Sequence, residues 1–393
     1  MTTALIIVGA LVLAVWTSRH FAFVRARRTE PFVVAHPGEK PPEPAPAVSV
    51  LIPVRNESRN IARCLDSILA QDYPGLEVIV VDDRSNDDTG TIVRGYAARD
   101  GRVKLLESEP LPDGWTGKNY ALHRGARGAR GDVLVFLDAD VALDPGALSA
   151  MVRRLEEDRA DMLSLIIRLD STSFWEKTVR VLAGAILTVR YPVRRVNDPR
   201  RPEAFANGQI LLFRAETYRA VGGHEAVRGA LLEDVALAHH VKESGRRLIM
   251  GYGFDAASVR MYPRLADLWR GWTRIYFSGF RADPSRLALA AVAVAVFSLL
   301  PYASLAWAAA LLALGSESVW TWVLLAISAA EIVVMVTLMA RLHALSRSGA
   351  RWALLNPLAG LVCLALLVAA TVRCFLPGVI VWKDTRYDAN RHA

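Results

Sequence analysis

Between Val48 and Leu137 short β-branched runs alternate with stretches whose apolar residues recur at helical spacing. Val48–Pro53 leads to a segment with Ile61, Leu65, Ile68 and Leu69 on one face. Leu76–Val81 leads to a helical pattern near Asp88–Ala98, and Val103–Leu106 and Asp132–Leu137 continue the strands. Near-continuous Val, Ile and Leu in such runs predicts strands covered on both faces of a parallel sheet. The alternation predicts right-handed crossovers and a doubly wound α/β sheet. Outside this region the pattern changes to long apolar runs. Ala4–Val24 is one, and Leu287–Leu314 (interrupted at Pro301), Val319–Leu342 and Ala353–Val372 are three more. Each reaches or exceeds the roughly 20 residues that cross a bilayer core. The expected organisation is a transmembrane helix (1–28), a Pro-rich linker (29–47), a soluble domain (48–285), about three further transmembrane helices (286–382) and a polar tail (383–393).

Composition agrees with this division. The chain has 393 residues, 53% of them apolar, and 47 basic against 39 acidic residues gives a net charge of +8. Such apolar content excludes a disordered chain. Three cysteines, Cys64, Cys363 and Cys374, exclude a disulfide scaffold and fit a reducing compartment. Arg19, Arg25, Arg27 and Arg28 follow the first apolar run and place that side in the cytosol by the positive-inside rule. A signal peptide fits less well, because the charges follow the apolar run. The connector 315–318 has no Lys or Arg, whereas Arg341–Arg351 is basic, and both agree with that orientation. The last run leaves two alternatives: a full span would put Lys383, Arg386 and Arg391 outside, and a re-entrant segment near Phe375–Trp382 would keep them inside. Glu331, inside a span, requires either a structural partner or a lipid head group.

The candidate chemistry gathers at strand ends. Arg55-Asn56-Glu57, Asp82-Asp83 and Asp138-Ala139-Asp140 each follow a predicted strand, at the edge where doubly wound sheets bind ligands. Alternation along a strand end would put Asp138 and Asp140 on one side. Carboxylate oxygens there select Mg²⁺ or Mn²⁺, which can bridge a diphosphate. Gly114–Asn119 resembles a Walker loop only superficially, since Pro112 and Asn119 break its pattern. Lys118 is either a phosphate contact or a solvated residue at a helix start. Glu233-Asp234 opens another helical pattern, as ordinary partners of the helix dipole or as a general base. Phe174–Tyr191 carries an apolar stripe (Trp175, Val179, Leu182, Ile186, Val189) that suits either a membrane surface or a protein core.

Taken together, Val50–Glu57, Val80–Thr89 and Leu137–Asp140 resemble the nucleotide-sugar domain of family 2 glycosyltransferases, over about Val48 to Arg281. Leu111–Lys118, Tyr191-Pro192 with Val196–Arg201, and Arg228–Asp234 resemble the membrane enzymes of hopanoid and carotenoid glycosylation. Trp382–Tyr387 resembles the tail of related lipid glycosyltransferases. The resemblance implies a GT-A-like fold in which Pro53, Arg55 and Glu57 line the nucleotide pocket. It implies that Asp83 hydrogen-bonds uracil, Lys118 lies near the diphosphate, Asp138 contacts the nucleotide and Asp140 binds Mg²⁺ or Mn²⁺. Asn207-Gly208-Gln209 would face donor sugar and acceptor, with Asp234 as the base of an inverting displacement. Leu268–Tyr276 lacks the Gln/Arg-x-x-Arg-Trp spacing of processive synthases, although Arg270, Trp272 and Arg274 could contact acceptor or diphosphate.

The expected function is metal-dependent transfer of one sugar from a UDP-sugar to a polyisoprenoid-type membrane lipid. The expected setting is a multi-pass protein of the inner membrane with a cytosolic catalytic domain and no nucleic-acid partner. The alternatives are a polysaccharide or polyprenyl-phosphate sugar synthase, and a non-catalytic membrane scaffold that keeps the fold.

Overall fold

The computed structural model describes residues 2–262, 264–376, 379–382 and 385–388. In chain order the elements are α1 (Thr2–Thr29), β1 (Phe32–Val34), β2 (Val48–Val54), α2 (Ile61–Leu69), β3 (Leu76–Asp82), α3 (Thr89–Ala97) and β4 (Val103–Glu107). Next come α4 (Gly117–Gly128), β5 (Val133–Leu137), β6 (Val141–Leu143), α5 (Ala147–Glu157), β7 (Met162–Leu169), α6 (Phe174–Arg190), α7 (Val193–Val196) and β8 (Ile210–Arg214). Then follow α8 (Ala215–Ala220), α9 (Gly223–Ala226), α10 (Glu233–Glu243), β9 (Leu248–Val259) and α11 (Leu265–Gly279). The chain ends with α12 (Pro284–Val294), α13 (Leu300–Ala313), α14 (Val319–Leu345), α15 (Asn356–Arg373), β10 (Val379–Trp382) and β11 (Thr385–Asp388).

Two compact units share these elements: residues 1–29, 171–190 and 262–378 form one, and 30–170, 191–261 and 379–393 the other. Helices α6 and α11 lie inside the 48–285 block by sequence. In the structure they group with the apolar helices.

The second unit is built on one sheet in the order β1-β9-β7-β8-β5-β2-β3-β4, with β6 paired to β9. Strands β5, β2, β3 and β4 are mutually parallel, as the alternation predicts, with Val50 opposite both Val78 and Val135. All of β5 is buried, and so is β2 apart from Pro53. The other half is mixed, because β8 runs antiparallel to both β5 and β7, and β6 antiparallel to β9. The Pro-rich linker contributes a strand as well. Its β1 adds in parallel to β9, with Phe32 stacked on Tyr252. Apolar clusters fill both faces. One is centred on Val50, Ile52, Leu65 and Leu148, the other on Leu51, Phe136, Phe213 and Leu237.

Among the described residues of the first unit four helical stretches are long and apolar enough to cross a membrane: Thr2–Thr29, Pro284–Ala313, Val319–Leu345 and Ala350–Arg373. The interruption expected at Pro301 is a π-helical stretch, Ala295–Leu299, between α12 and α13. A proline has no N–H to donate and crowds the preceding turn, which a wider turn relieves. Glu331 is 2% exposed, buried on α14 close to Gly9 of α1. Two charged residues of α6 outside its apolar stripe, Glu176 and Arg180, are buried rather than solvated. Glu176 accepts from the N–H groups of Thr172 and Ser173 (both 3.0 Å), from Tyr262 N–H (3.2 Å) and from Arg180 Nη1 (3.0 Å). These donors replace water, so the carboxylate can cap the helix start from inside the protein. Val189, placed in the apolar stripe by sequence, is 59% exposed.

At the end of the chain, β10 and β11 pair antiparallel. Lys383, Asp384 and Arg391 lie outside the described residues, as do Pro377 and Gly378 of the proposed re-entrant segment.

Candidate active site

The parallel strands bring their polar ends together. After β2, the segment 55–58 is stitched to the segment after β3. Asn56 N–H donates to Ser85 Oγ (3.1 Å), Glu57 N–H to Thr89 Oγ1 (2.8 Å) and Asn86 N–H to Asn56 Oδ1 (2.8 Å). Asn56 and Arg84 both have positive φ (54° and 58°), the sharp turns this crossing requires. Pro53 lies one residue before the end of β2, opposite Val81. Asp83, 5% exposed, accepts from Arg84 Nε (2.9 Å) and lies 3.5 Å from Arg55 Nη1. Two residues of the expected nucleotide pocket, Arg55 and Asp83, therefore meet as an ion pair.

Asp83 also packs against the start of α4. A Cβ on Gly117 would stand 2.2 Å from Asp83 Oδ2, so only glycine admits the carboxylate there. Thr116 caps the helix by accepting from Asn119 N–H (3.3 Å). This places Lys118 in the first turn. Lys118 is not a solvated helix-start lysine: its Nζ lies 2.8 Å from Asp138 Oδ1 and 2.7 Å from Glu233 Oε1. Burial alone would lower its pKa, but Asp138 and Glu233 outweigh that and raise it. Lys118 is a fixed ammonium at any ordinary pH.

The Asp138–Asp140 triplet sits in the turn between β5 and β6, not on a strand. Val141 N–H bonds back to Asp138 C=O (3.1 Å), so strand alternation is not what aims the two side chains. The residues of 207–209 hold this turn. Asp138 N–H donates to Gln209 C=O (3.2 Å), and Asn207 Nδ2 donates to Gln209 Oε1 (3.0 Å). Asn207 is in turn fixed by Ser164, whose Oγ accepts from its N–H at 2.7 Å.

Asp234 closes the site. Its Oδ2 accepts from Gly208 N–H (2.6 Å) and its Oδ1 from Val235 N–H (2.8 Å). A Cβ on Gly208 would stand 2.9 Å from the same oxygen, so that close approach requires glycine. Burial and the neighbouring Glu233 push the Asp234 carboxyl up to about 7, while Lys118 and the two N–H groups pull the other way. A carboxyl poised near neutrality is what a general base needs.

Asn119, 0% exposed, was singled out by sequence only as a departure from a phosphate loop. Its Nδ2 lies 2.8, 3.2 and 3.0 Å from the carbonyls of Val227, Arg228 and Ala230. It thereby ties α4 to the loop that delivers Glu233 and Asp234. No local signal marks this role, because the partners are far along the chain. Glu233, 6% exposed, is likewise more than a helix-dipole partner, since it holds Lys118.

Arg270, Trp272 and Arg274 lie on α11, in the unit of the apolar helices. Arg270 is paired with Asp267 (2.6 Å), and the buried Trp272 packs on Tyr276 at 5.5 Å between ring centres.

Among the described residues no three His, Cys, Asp or Glu side chains form a group able to hold a metal by themselves. The donor set still suits a hard cation that shares its coordination with substrate. Magnesium-type sites commonly use one or two carboxylates, with phosphate oxygens and water completing the shell. Asp140 is the residue that would supply the protein's share. Lys118, Asp138, Glu233 and Asp234 together set one ammonium against three carboxyl groups, an imbalance that favours an added cation.

The mixed α/β sheet, with acidic groups gathered beyond its parallel strands, has the GT-A fold. Residues 49–222 match the model of Glycosyl transferase family 2. Over 236 residues it is 28% identical to 4,4'-diaponeurosporenoate glycosyltransferase of Staphylococcus aureus (strain MRSA252). That match covers 59% of this chain and 61% of the relative, less than two thirds of its length. Among solved structures it resembles mannosyltransferase PcManGT from Pyrobaculum calidifontis, in complex with GDP-Man and Mn²⁺. The TM-score is 0.53 at 21% identity, covering 94% of this chain and 99% of the other.

Proposed function

We propose that the chain transfers a single sugar from a UDP-sugar to a polyisoprenoid-type membrane lipid, with inversion at the anomeric carbon. The observation that carries this reading is Asp234, a carboxyl near neutral pKa held by two backbone N–H groups beside Lys118, Glu233 and Asp138. In this reading Asp234 accepts the proton of the acceptor O–H as that oxygen forms its bond to the anomeric carbon. The bond from that carbon to the diphosphate breaks, and its electron pair leaves with UDP. Pro53, Arg55, Glu57 and Asp83 bind the nucleotide with Asp138, and Asn207 and Gln209 face the sugar and the acceptor. Lys118 supplies fixed positive charge toward the diphosphate, at the start of α4 where the helix dipole adds to it. Mg²⁺ or Mn²⁺ at Asp140 would stabilise charge on the departing diphosphate. Arg270 and Arg274 are assigned to acceptor or diphosphate contact.

The name of the Staphylococcus aureus relative supports a carotenoid-type acceptor, and the Mn²⁺ complexed with the Pyrobaculum mannosyltransferase supports a divalent cation. Four apolar helices support a membrane setting. Basic residues after α1 and between α14 and α15 support a cytosolic orientation for the catalytic unit.

The test is nucleoside-diphosphate release by the full chain in lipid vesicles, from a panel of UDP- and GDP-sugars, with and without Mg²⁺ or Mn²⁺ and a polyisoprenoid extract. The expected result is cation-dependent release from a UDP-sugar that rises with the extract and yields an inverted glycoside. A phosphodiester or a polymer would replace this reading by a polyprenyl-phosphate sugar or polysaccharide synthase. No release from any donor would leave a scaffold.

A further inference from the structure

A second charged constellation lies in the unit of apolar helices, and the reaction does not use it. Lys177, on the first turns of α6, stands 5.6 Å from the centre of the Trp352 ring, and the Arg351 guanidinium stands 5.9 Å from the same ring. Phe174 meets that indole edge to face at 5.6 Å. Two cations thus converge on one ring.

Among the described residues neither Lys177 nor Arg351 forms a salt bridge to a carboxylate. The acid nearest Lys177 in sequence, Glu176, spends both oxygens on Thr172, Ser173, Tyr262 and Arg180. No Asp or Glu occurs between Glu331 and Asp384, a stretch that holds Arg341, Arg347 and Arg351. Two like charges gathered on one ring repel each other, and an anion that reaches both removes that repulsion.

Their place in the chain points to the source of that anion. Trp352 and Arg351 belong to the short 3-10 helix Ala350–Leu355, which follows α14 and opens the last apolar stretch, Ala350–Arg373. Tryptophan and basic side chains between two apolar helices mark the head-group level of a bilayer. Around the cations the apolar side chains of Phe174 and Leu354 are 45% and 69% exposed, as expected of groups lying along lipid.

We propose that Lys177, Arg351 and Trp352 form a head-group site for an anionic bilayer phospholipid, distinct from the acceptor and from the sugar donor. The two cations take the lipid phosphate, and the Trp352 and Phe174 rings lie along the part of the lipid below it. The proposal rests on the reading of the apolar helices as membrane-spanning.

The test uses the full chain in neutral detergent, with melting followed on adding phosphatidylglycerol, phosphatidylcholine or inorganic phosphate. Phosphatidylglycerol is expected to raise Tm by about 2–4 °C, with little response to the other two. K177Q/R351Q should lose the rise and K177R/R351K should keep it. R351Q alone, at an exposed position, should weaken it and covers the case in which the double variant does not fold. An equal rise with phosphatidylcholine, an equal rise with inorganic phosphate, or an undiminished rise in both glutamine variants overturns the site. Retention of the chain in membranes after an alkaline carbonate wash tests the membrane reading separately, so the two failures are distinguishable.

Discussion

Two buried ionic clusters among the described residues, Glu176–Arg180 in one unit and Lys118–Asp138–Glu233 in the other, are built on opposite terms. Around Glu176 the charges balance against Arg180, and both carboxylate oxygens are committed to backbone, hydroxyl or guanidinium donors. Around Lys118 one ammonium faces Asp138 and Glu233, with Asp234 next in the chain, so negative charge is in excess. A balanced, hydrogen-bonded pair can sit in a low-dielectric interior and fix the path of the chain. An unbalanced one keeps a carboxyl at a raised pKa and attracts cations, which is chemistry rather than architecture. The difference separates a structural knot at Glu176 from the reaction centre proposed around Asp234.

The comparison breaks most visibly at Asp234. Asp234→Asn is expected to lower turnover by about 10²–10⁴-fold, the usual contribution of a general base, with little change in donor KM. Steady-state kinetics on one lipid acceptor would show it, and a loss under tenfold would remove Asp234 from the role. Glu176→Ala should instead leave chemistry to the folded fraction and cost about 3–5 kcal/mol of stability, because Arg180 is stranded in the interior. Denaturant or thermal unfolding in detergent measures that cost. Asn119→Ala lies between the two. Losing the amide bonded to Val227, Arg228 and Ala230 should cost about 1–3 kcal/mol and reduce turnover by loosening the 227–234 segment. Smallest is the effect of neighbouring charge on Asp234. Glu233→Gln removes a repulsion and should move the base to lower pKa, whereas Lys118→Met removes an attraction and should move it higher.

Much of this was legible along the chain. The strands β2, β3, β4 and β5 carry near-unbroken apolar runs, and their boundaries in the structure agree with the pattern to within a residue or two. Helix α2 repeats its apolar residues at helical spacing, and four long apolar stretches stand out from everything else. The half-sheet of β7, β8 and β9 was not legible. Strand β9, Leu248–Val259, mixes Gly251, Gly253 and Asp255 into its run and shifts register against β7. Alternation is lost at such a shift, and the antiparallel place of β8 depends on partners far away in sequence. At the site, the acidic motifs announced themselves by their place after strands. Lys118 did not, because the choice between solvent and Glu233 is made by the fold of a distant segment. The Glu176–Arg180 spacing is visible in the sequence, but its burial depends on Thr172, Ser173 and Tyr262 supplying donors.

The most direct test of the account is the pH dependence of kcat/KM for the vesicle-reconstituted protein and its Glu233→Gln variant. Asp234 acts as a base only when ionised, so activity should fall as pH drops through about 7 in the native protein. The account predicts that this acid limb moves to lower pH in the variant while the plateau rate stays within a few fold. An acid limb at the ordinary carboxylate range near 4, or one that stays in place when Glu233 loses its charge, would contradict it.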